Sequence, residues 1–377
     1  MTLQTEFACP PPEIRHDQNN QGPPTTPEQN LDFMIKSETV RGTRTKFCLT
    51  NFQQPGDVMC ISSLPRDIKL HYPELSINVK TSCPEIFENN PHLTEMPDNE
   101  PGLFHIGMRY DMISESSKVD PAIHMFNAVY HDWFLHTGLL VRPTRFGGDL
   151  YFTEEEQQSP LFPDVDGPWV LGNFGGKRDF LSKYIPMEMW ATIVRKCPNI
   201  QFVQIGISPE KGESYHEHVH LDFPNVVNKI DQTNKRQFLV AHLQSLGAVS
   251  TENASHHICA ALNYKPNIVL SKGHMSWWWL RFPGAIWHHT IGCGLHCCRW
   301  SGCFQAQCQN YDPQTFRHKC LDFMDIDAIV SSINDTFGPA FKEKRKPVKS
   351  CRLPTTESVL GGNGKPELQI VPLENGG

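Results

Sequence analysis

Residues Gln54–Tyr72 read QPGDVMCISSLPRDIKLHY, and the fold follows from how this stretch is placed. A Gly-Asp turn at Gly56–Asp57 comes after a β-like run, Thr45–Asn51, and opens an amphipathic helix. The strand Ser76–Lys80 (SINVK) follows at once. Strand, helix and strand on short connections make one βαβ unit, which sets two parallel strands side by side. Ligands of parallel sheets bind beyond the carboxyl ends of the strands, and the turn at Gly56–Asp57 lies at such an end. Asp57 would then stand at the mouth of a cleft, where a carboxylate is able to take a proton from an acceptor hydroxyl. The same residue equally suits a helix cap.

The alternation continues in both directions. The segment 1–30 carries PPP, NNQ and PPTTP and is expected to be a disordered arm. A first α/β domain spans 31–164, with a short helix near Glu85–Asn89, a strand at Gly102–Met108 and a helix near Pro121–Leu135. Ser159–Gly167 (SPLFPDVDG) reads as the linker. A second block, 165–290, restarts with the strand Trp169–Asn173 and a turn at Gly175–Gly176. Helices then fall at Met187–Lys196, Lys235–Leu246 and Ser255–Leu262, and strands at Gln201–Ile207, Ala248–Ser250 and Pro266–Leu270. Two successive blocks of this kind predict two parallel-sheet domains facing across a cleft. A cysteine-rich insert at 291–325, a helix at 326–349 and a flexible tail at 350–377 complete the division.

Composition narrows the function classes. Of the 377 residues, 39% are hydrophobic and 20% charged, which suits a globular protein. No apolar run approaches the roughly 18–20 residues that span a bilayer, and the polar start lacks the apolar core of a signal peptide. A cytoplasmic location is therefore expected. A net charge of −7 gives no reason to expect a nucleic-acid partner. The basic run Lys342–Lys349 reads as a solvated stretch or as a peripheral contact with anionic lipid at the inner face of a membrane.

In its motifs the chain resembles glycosyltransferase family 9, the heptosyltransferases that use ADP-heptose. Four stretches between about Thr45 and Leu280 carry the likeness. They are GDVMCISSLPRDIKLHYPELSINV, VLGNFGGKRDFLSKYIPMEMWATIV, FVQIGISPEKGES and STENASHHICAALNYKPNIVL. The resemblance implies a GT-B fold of two Rossmann-like domains, with the donor held mainly by the second. It implies Asp57 as general base, Lys183 at the donor diphosphate, and either Glu210 or Glu213 at the nucleoside. Glu252 stands where the family has Asp, five residues before His257. Asn253, Ala254, Ser255 and His256 open the helix there, and its backbone N–H groups would cradle a phosphate. Donor contact by His257 and burial of His257 as a core histidine both fit. The implied donor is a nucleotide diphosphate sugar, ADP-linked, and the implied acceptor a glycan, a lipid-linked glycan or a protein. No catalytic metal is implied. A non-catalytic nucleotide-sugar or glycan-binding module on the same fold is the competing function.

Seven of the thirteen cysteines are scattered, and the rest crowd between Cys293 and Cys320. Cys297 or Cys298, Cys303, Cys308 and Cys320 offer four thiolates for a structural Zn or Fe at about 2.3 Å. Disulfides and unbonded thiols are the alternatives. His216, His218 and His220 would share one face if the segment were a strand. His288, His289 and His296 are spare ligands, and Trp277–Trp279 offers aromatic faces for a base or a sugar.

Overall fold

The computed structural model describes residues 44–109, 124–177, 184–208, 211, 216–218, 220–272, 281–290, 311–312 and 317–342. The first sheet has three parallel strands, β1 (Lys46–Asn51), β2 (Ser76–Thr81) and β3 (Leu103–Gly107), in the order β2-β1-β3. Between β1 and β2 the sequence predicts a single helix, and the structure has two, α1 (Pro55–Cys60) and α2 (Leu64–His71). Pro65 accounts for the break. Its ring and missing N–H are tolerated only in a helix's first turn, so the helix must restart there. The third helix, α3 (Met125–Thr137), stops at Gly138, which takes the left-handed conformation that favours glycine (φ 66°). Trp133 of α3 packs edge-on against Phe47 of β1, their rings 5.1 Å apart.

The remaining strands are β4 (Val170–Asn173), β5 (Gly176–Lys177), β6 (Phe202–Gln204), β7 (His216–Glu217), β8 (Val226–Asn228), β9 (Ala248–Thr251), β10 (Asn267–Lys272), β11 (Ala285–Thr290), β12 (Tyr311–Asp312) and β13 (Arg317–His318). Six of them form the second sheet, all parallel, in the order β11-β10-β9-β4-β6-β8. Counted from β4 along the chain, that order is the doubly wound 3-2-1-4-5-6, and the winding reverses between β4 and β9. Every residue of β4 and of β9 is buried, as expected of parallel strands covered on both faces. Two short antiparallel ladders, β5 with β7 and β12 with β13, lie outside this sheet.

The helices after α3 are α4 (Glu154–Gln158), α5 (Met187–Lys196), α6 (Lys235–Gln244), α7 (Ala254–Ala261) and α8 (Ile326–Lys342). Ile329, Ile333 and Phe337 of α8 share a core with Trp190, Ile193 and Val194 of α5. The core beneath the first sheet also takes in Leu239 of α6 and Ile258, Ala260 and Ala261 of α7. The two lobes are therefore joined by packing. Among the described residues, no helix is long and apolar enough to cross a membrane.

Candidate active site

The winding of the second sheet reverses between β4 and β9, so the crevice a ligand would enter lies beyond Asn173 and Thr251. Asn173 closes β4, and its Nδ2 donates to Ser255 Oγ at 3.0 Å, spanning the reversal. The Asn173 Oδ1 atom is buried without a protein partner. Such an acceptor costs about 1–3 kcal/mol until something donates to it. Beyond β9, Glu252 is buried and Asn253 caps α7, its Oδ1 accepting from Ser255 N–H at 2.9 Å. The N–H of His256 is also engaged, by Asn253 O at 3.1 Å. Two of the backbone groups expected to cradle a phosphate are thus bonded within the helix start, while the positive end of the α7 dipole remains at the crevice.

Helix α1 lies directly against this helix start. A Cβ built on Gly56 would come within 3.0 Å of His257 Cδ2, 3.3 Å of His257 Nε2 and 3.8 Å of Ala254 Cα. Cys60, one turn on, places Sγ 3.5 Å from His257 Nδ1 and 3.4 Å from Gly56 O. Burial, followed by the charges of Asp57 and Glu252, pushes the Cys60 thiol well above its usual range. One carboxylate from each lobe thus acts on the same thiol. Asp57 itself is half-buried, and its Oδ2 accepts from Gln54 N–H at 3.1 Å, so it does cap α1. Asn267 Nδ2 lies 3.3 Å from His256 Nδ1, and the His256 ring meets Phe282 and Trp287, each at 4.9 Å. His256 is a packed interior histidine.

The first-lobe loop Pro143–Asp149 is stapled in place. Asp67, fully buried, accepts from Arg66 Nε at 2.9 Å, from Thr144 Oγ1 at 2.7 Å and from the Tyr130 hydroxyl. Arg66 also pairs with Asp149. Arg145 donates to Gly148 O at 2.6 Å and to Ala261 O, at the end of α7, at 2.7 Å. A Cβ at Gly148 would meet Ser62 Oγ at 2.5 Å and Met59 O at 2.7 Å, so only glycine fits there.

Lys183, Glu210, Glu213, Trp277–Trp279, His296, Cys297, Cys298, Cys303 and Cys308 lie outside the described residues. Cys320 is buried in the 3₁₀ turn Lys319–Phe323. Of the three alternating histidines only His216 is in a strand, so the condition for one shared face is not met. His218 lies over Gly206, where a Cβ would fall 2.2 Å from its Nδ1, and His220 is exposed. His288 Nε2 is 3.0 Å from Ser332 Oγ. Among the described residues no group of three His, Cys, Asp or Glu is placed to hold a metal. Sequence reasoning missed Asn173 and Cys60, and read Gly56 only as a turn residue. Asn173 carried the only usable signal, a polar residue ending an apolar strand two residues before the Gly175–Gly176 pair.

No family profile matches the chain, and no curated protein matches it in sequence. Solved structures do match it in fold. A glycosyl transferase family 9 structure from Veillonella parvula DSM 2008 superposes with a TM-score of 0.52 at 11% identity, covering 79% of this chain and 99% of that one. The iron-containing dodecameric glycosyltransferase TibC of enterotoxigenic E. coli gives 0.54 at 12%, covering 78% and 77%. The E. coli heptosyltransferase WaaC with ADP gives 0.52 at 11%, covering 77% and 99%. With its two parallel sheets, the doubly wound order of the second, and this likeness over more than three quarters of its length, the chain has the GT-B fold of the family 9 glycosyltransferases.

Proposed function

We propose that the protein is a glycosyltransferase that moves a sugar, heptose or another hexose-like unit, from an ADP-linked donor to an acceptor hydroxyl. One observation carries this reading. The carboxyl-end crevice of a doubly wound sheet, with a helix N-terminus at its floor, lies against a helix of the other lobe that bears an acid. The ADP seen with the WaaC neighbour favours adenine as the donor base. In the proposed step Asp57 takes the proton of the acceptor hydroxyl, whose oxygen attacks the anomeric carbon. The bond from that carbon to the diphosphate oxygen breaks, and the nucleoside diphosphate leaves with the electron pair. The α7 dipole and the Lys183 ammonium offset charge growing on the leaving group. Asn173 Oδ1 and Glu252 accept hydrogen bonds from donor hydroxyls, with Glu210 or Glu213 at the nucleoside. The acceptor is a glycan, a lipid-linked glycan or a protein. A structural Zn or Fe held by Cys297 or Cys298, Cys303, Cys308 and Cys320 would brace the region after β11 and take no part in the transfer.

The capping bond from Gln54 to Asp57 favours a second reading, a nucleotide-sugar or glycan-binding module in which Asp57 only ends a helix. A thermal-shift panel of ADP, UDP, GDP, TDP and CMP tests the donor site, since a ligand specific to the folded state raises its stability by mass action. A selective shift with ADP that is lost in Lys183→Ala supports the site. No shift with any nucleotide refutes it, whereas binding without turnover of any sugar donor favours the module.

A further inference from the structure

Glycine at 56 and cysteine at 60 are one helical turn apart on α1, and both touch the same imidazole of α7. His257 is buried, with Cys60 Sγ 3.5 Å from Nδ1 and the Gly56 backbone against its Cδ2–Nε2 edge. The Phe282 ring, 5.7 Å from its centroid, and the His256 ring, 5.6 Å away, close in from its own lobe. The ring is thus a spacer between two helices, α1 on one side and its own helix on the other. Asp57 is the next residue after Gly56, so any change in that spacing moves its carboxylate relative to the start of α7.

We propose that His257 is a positioning residue: by wedging between Gly56 and Cys60 it sets the distance from Asp57 to the head of α7, and hence to a donor bound there. This rests on the transferase reading above and departs from it by taking His257 out of direct donor contact. Because the imidazole bridges the lobes, perturbing it should slow the chemical step while leaving nucleotide affinity intact. A ligand-contacting histidine would show the opposite split.

The variants are Gly56→Ala, His257→Asn and His257→Gln, in the full chain. In Gly56→Ala the added methyl needs a few tenths of an ångström from its neighbour. Misplacement of about 1 Å costs roughly a hundredfold, so about tenfold in kcat is expected, with the donor KM and ADP affinity unchanged. Asn puts its amide where Nδ1 stands and keeps the Cys60 contact, whereas Gln puts its amide where Nε2 stands. His257→Asn should therefore retain several-fold more turnover than His257→Gln. A second readout needs no turnover, namely the rate at which iodoacetamide modifies Cys60, followed by peptide mass spectrometry. Gly56→Ala and His257→Gln should speed Cys60 modification by about fivefold through local opening of this contact, leaving buried Cys48 and Cys197 protected.

ADP affinity that falls in step with kcat overturns the inference, because His257 then touches the donor. Wild-type kcat in Gly56→Ala overturns it as well. A wild-type protein that releases no ADP from any ADP-sugar sinks the transferase reading itself, which is distinguishable from an active wild type whose variants keep its rate.

Discussion

Arg236, at the start of α6, reaches across to the first lobe. Replacing it with Met should cost about 3 kcal/mol of stability, a figure built from its contacts and discounted for their partial exposure. Its guanidinium grips Glu156 of α4 side-on through Nε and Nη2, at 2.6 and 2.8 Å, and donates to Glu85 O at 2.9 Å and to Tyr151 O at 2.6 Å. It also stacks over the Phe152 ring at 4.8 Å. The Arg236 side chain is 12% exposed and that of Glu156 21%, so the pair is shielded well beyond a surface ion pair. Met keeps the aliphatic packing and removes the charge, leaving a carboxylate and two carbonyls without their donor. Urea unfolding at pH 7 of wild type, Arg236→Met, Glu156→Gln and the double variant should give a coupling energy of about 1.5 kcal/mol. Acid should erase it. The Arg236 guanidinium, and then Thr153, hold the Glu156 carboxyl below the usual carboxylate range. Stability from a depressed carboxylate is complete above its unfolded pKa, near 4.3, and is lost as pH falls through the lower folded value. Coupling that persists at pH 5 and fades below about pH 4 fits. A loss under about 0.5 kcal/mol at pH 7, or additive variants, would refute the clamp.

Three further outcomes are expected. The His242 imidazole is wholly buried, and burial pushes its pKa down to about 4. The unfolded chain therefore takes up the proton first, and stability present above about pH 6.5 should fall by about 2 kcal/mol by pH 5. His242→Phe should flatten that slope in urea titrations, and an unchanged slope would count against it. Gly148→Ala should lose about 2–3 kcal/mol to overpacking against Ser62 and the Met59 carbonyl, measured by urea midpoint. A loss below 0.5 kcal/mol, on the order of an ordinary surface substitution, would show that the loop yields. Asn173→Ala should weaken ADP binding by about tenfold in calorimetry, the worth of roughly one hydrogen bond. Unchanged binding would remove that amide from the donor site.

The fold was legible because parallel sheets write it in two signals, apolar strands and short turns at their carboxyl ends. The strand and helix at Ala248–Thr251 and Ala254–Ala261 fell within a residue or so of expectation, since β-branched apolar residues give way there to an Asn cap. Three-residue β8 was too short to leave a period, and β11, AIWHHT, hid its pattern behind two histidines. Pro65 was visible, and its effect on the helix between β1 and β2 was misjudged. Of the candidate site, Asp57 and the head of α7 were each named separately. What sequence could not supply was their juxtaposition, which depends on a glycine at 56 small enough to admit a histidine some two hundred residues away. Cys60 looked like a scattered packing cysteine for the same reason.

The most direct measurement is the release of ADP from ADP-heptose by wild type and Asp57→Asn, alongside calorimetric titration of each with ADP. General-base work is worth about a hundredfold or more. The account predicts a loss of at least that size in turnover, with ADP affinity unchanged within about twofold, because the proposed donor site is on the other lobe. An Asp57→Asn protein that turns over at the wild-type rate, or a wild type that does not bind ADP, contradicts it.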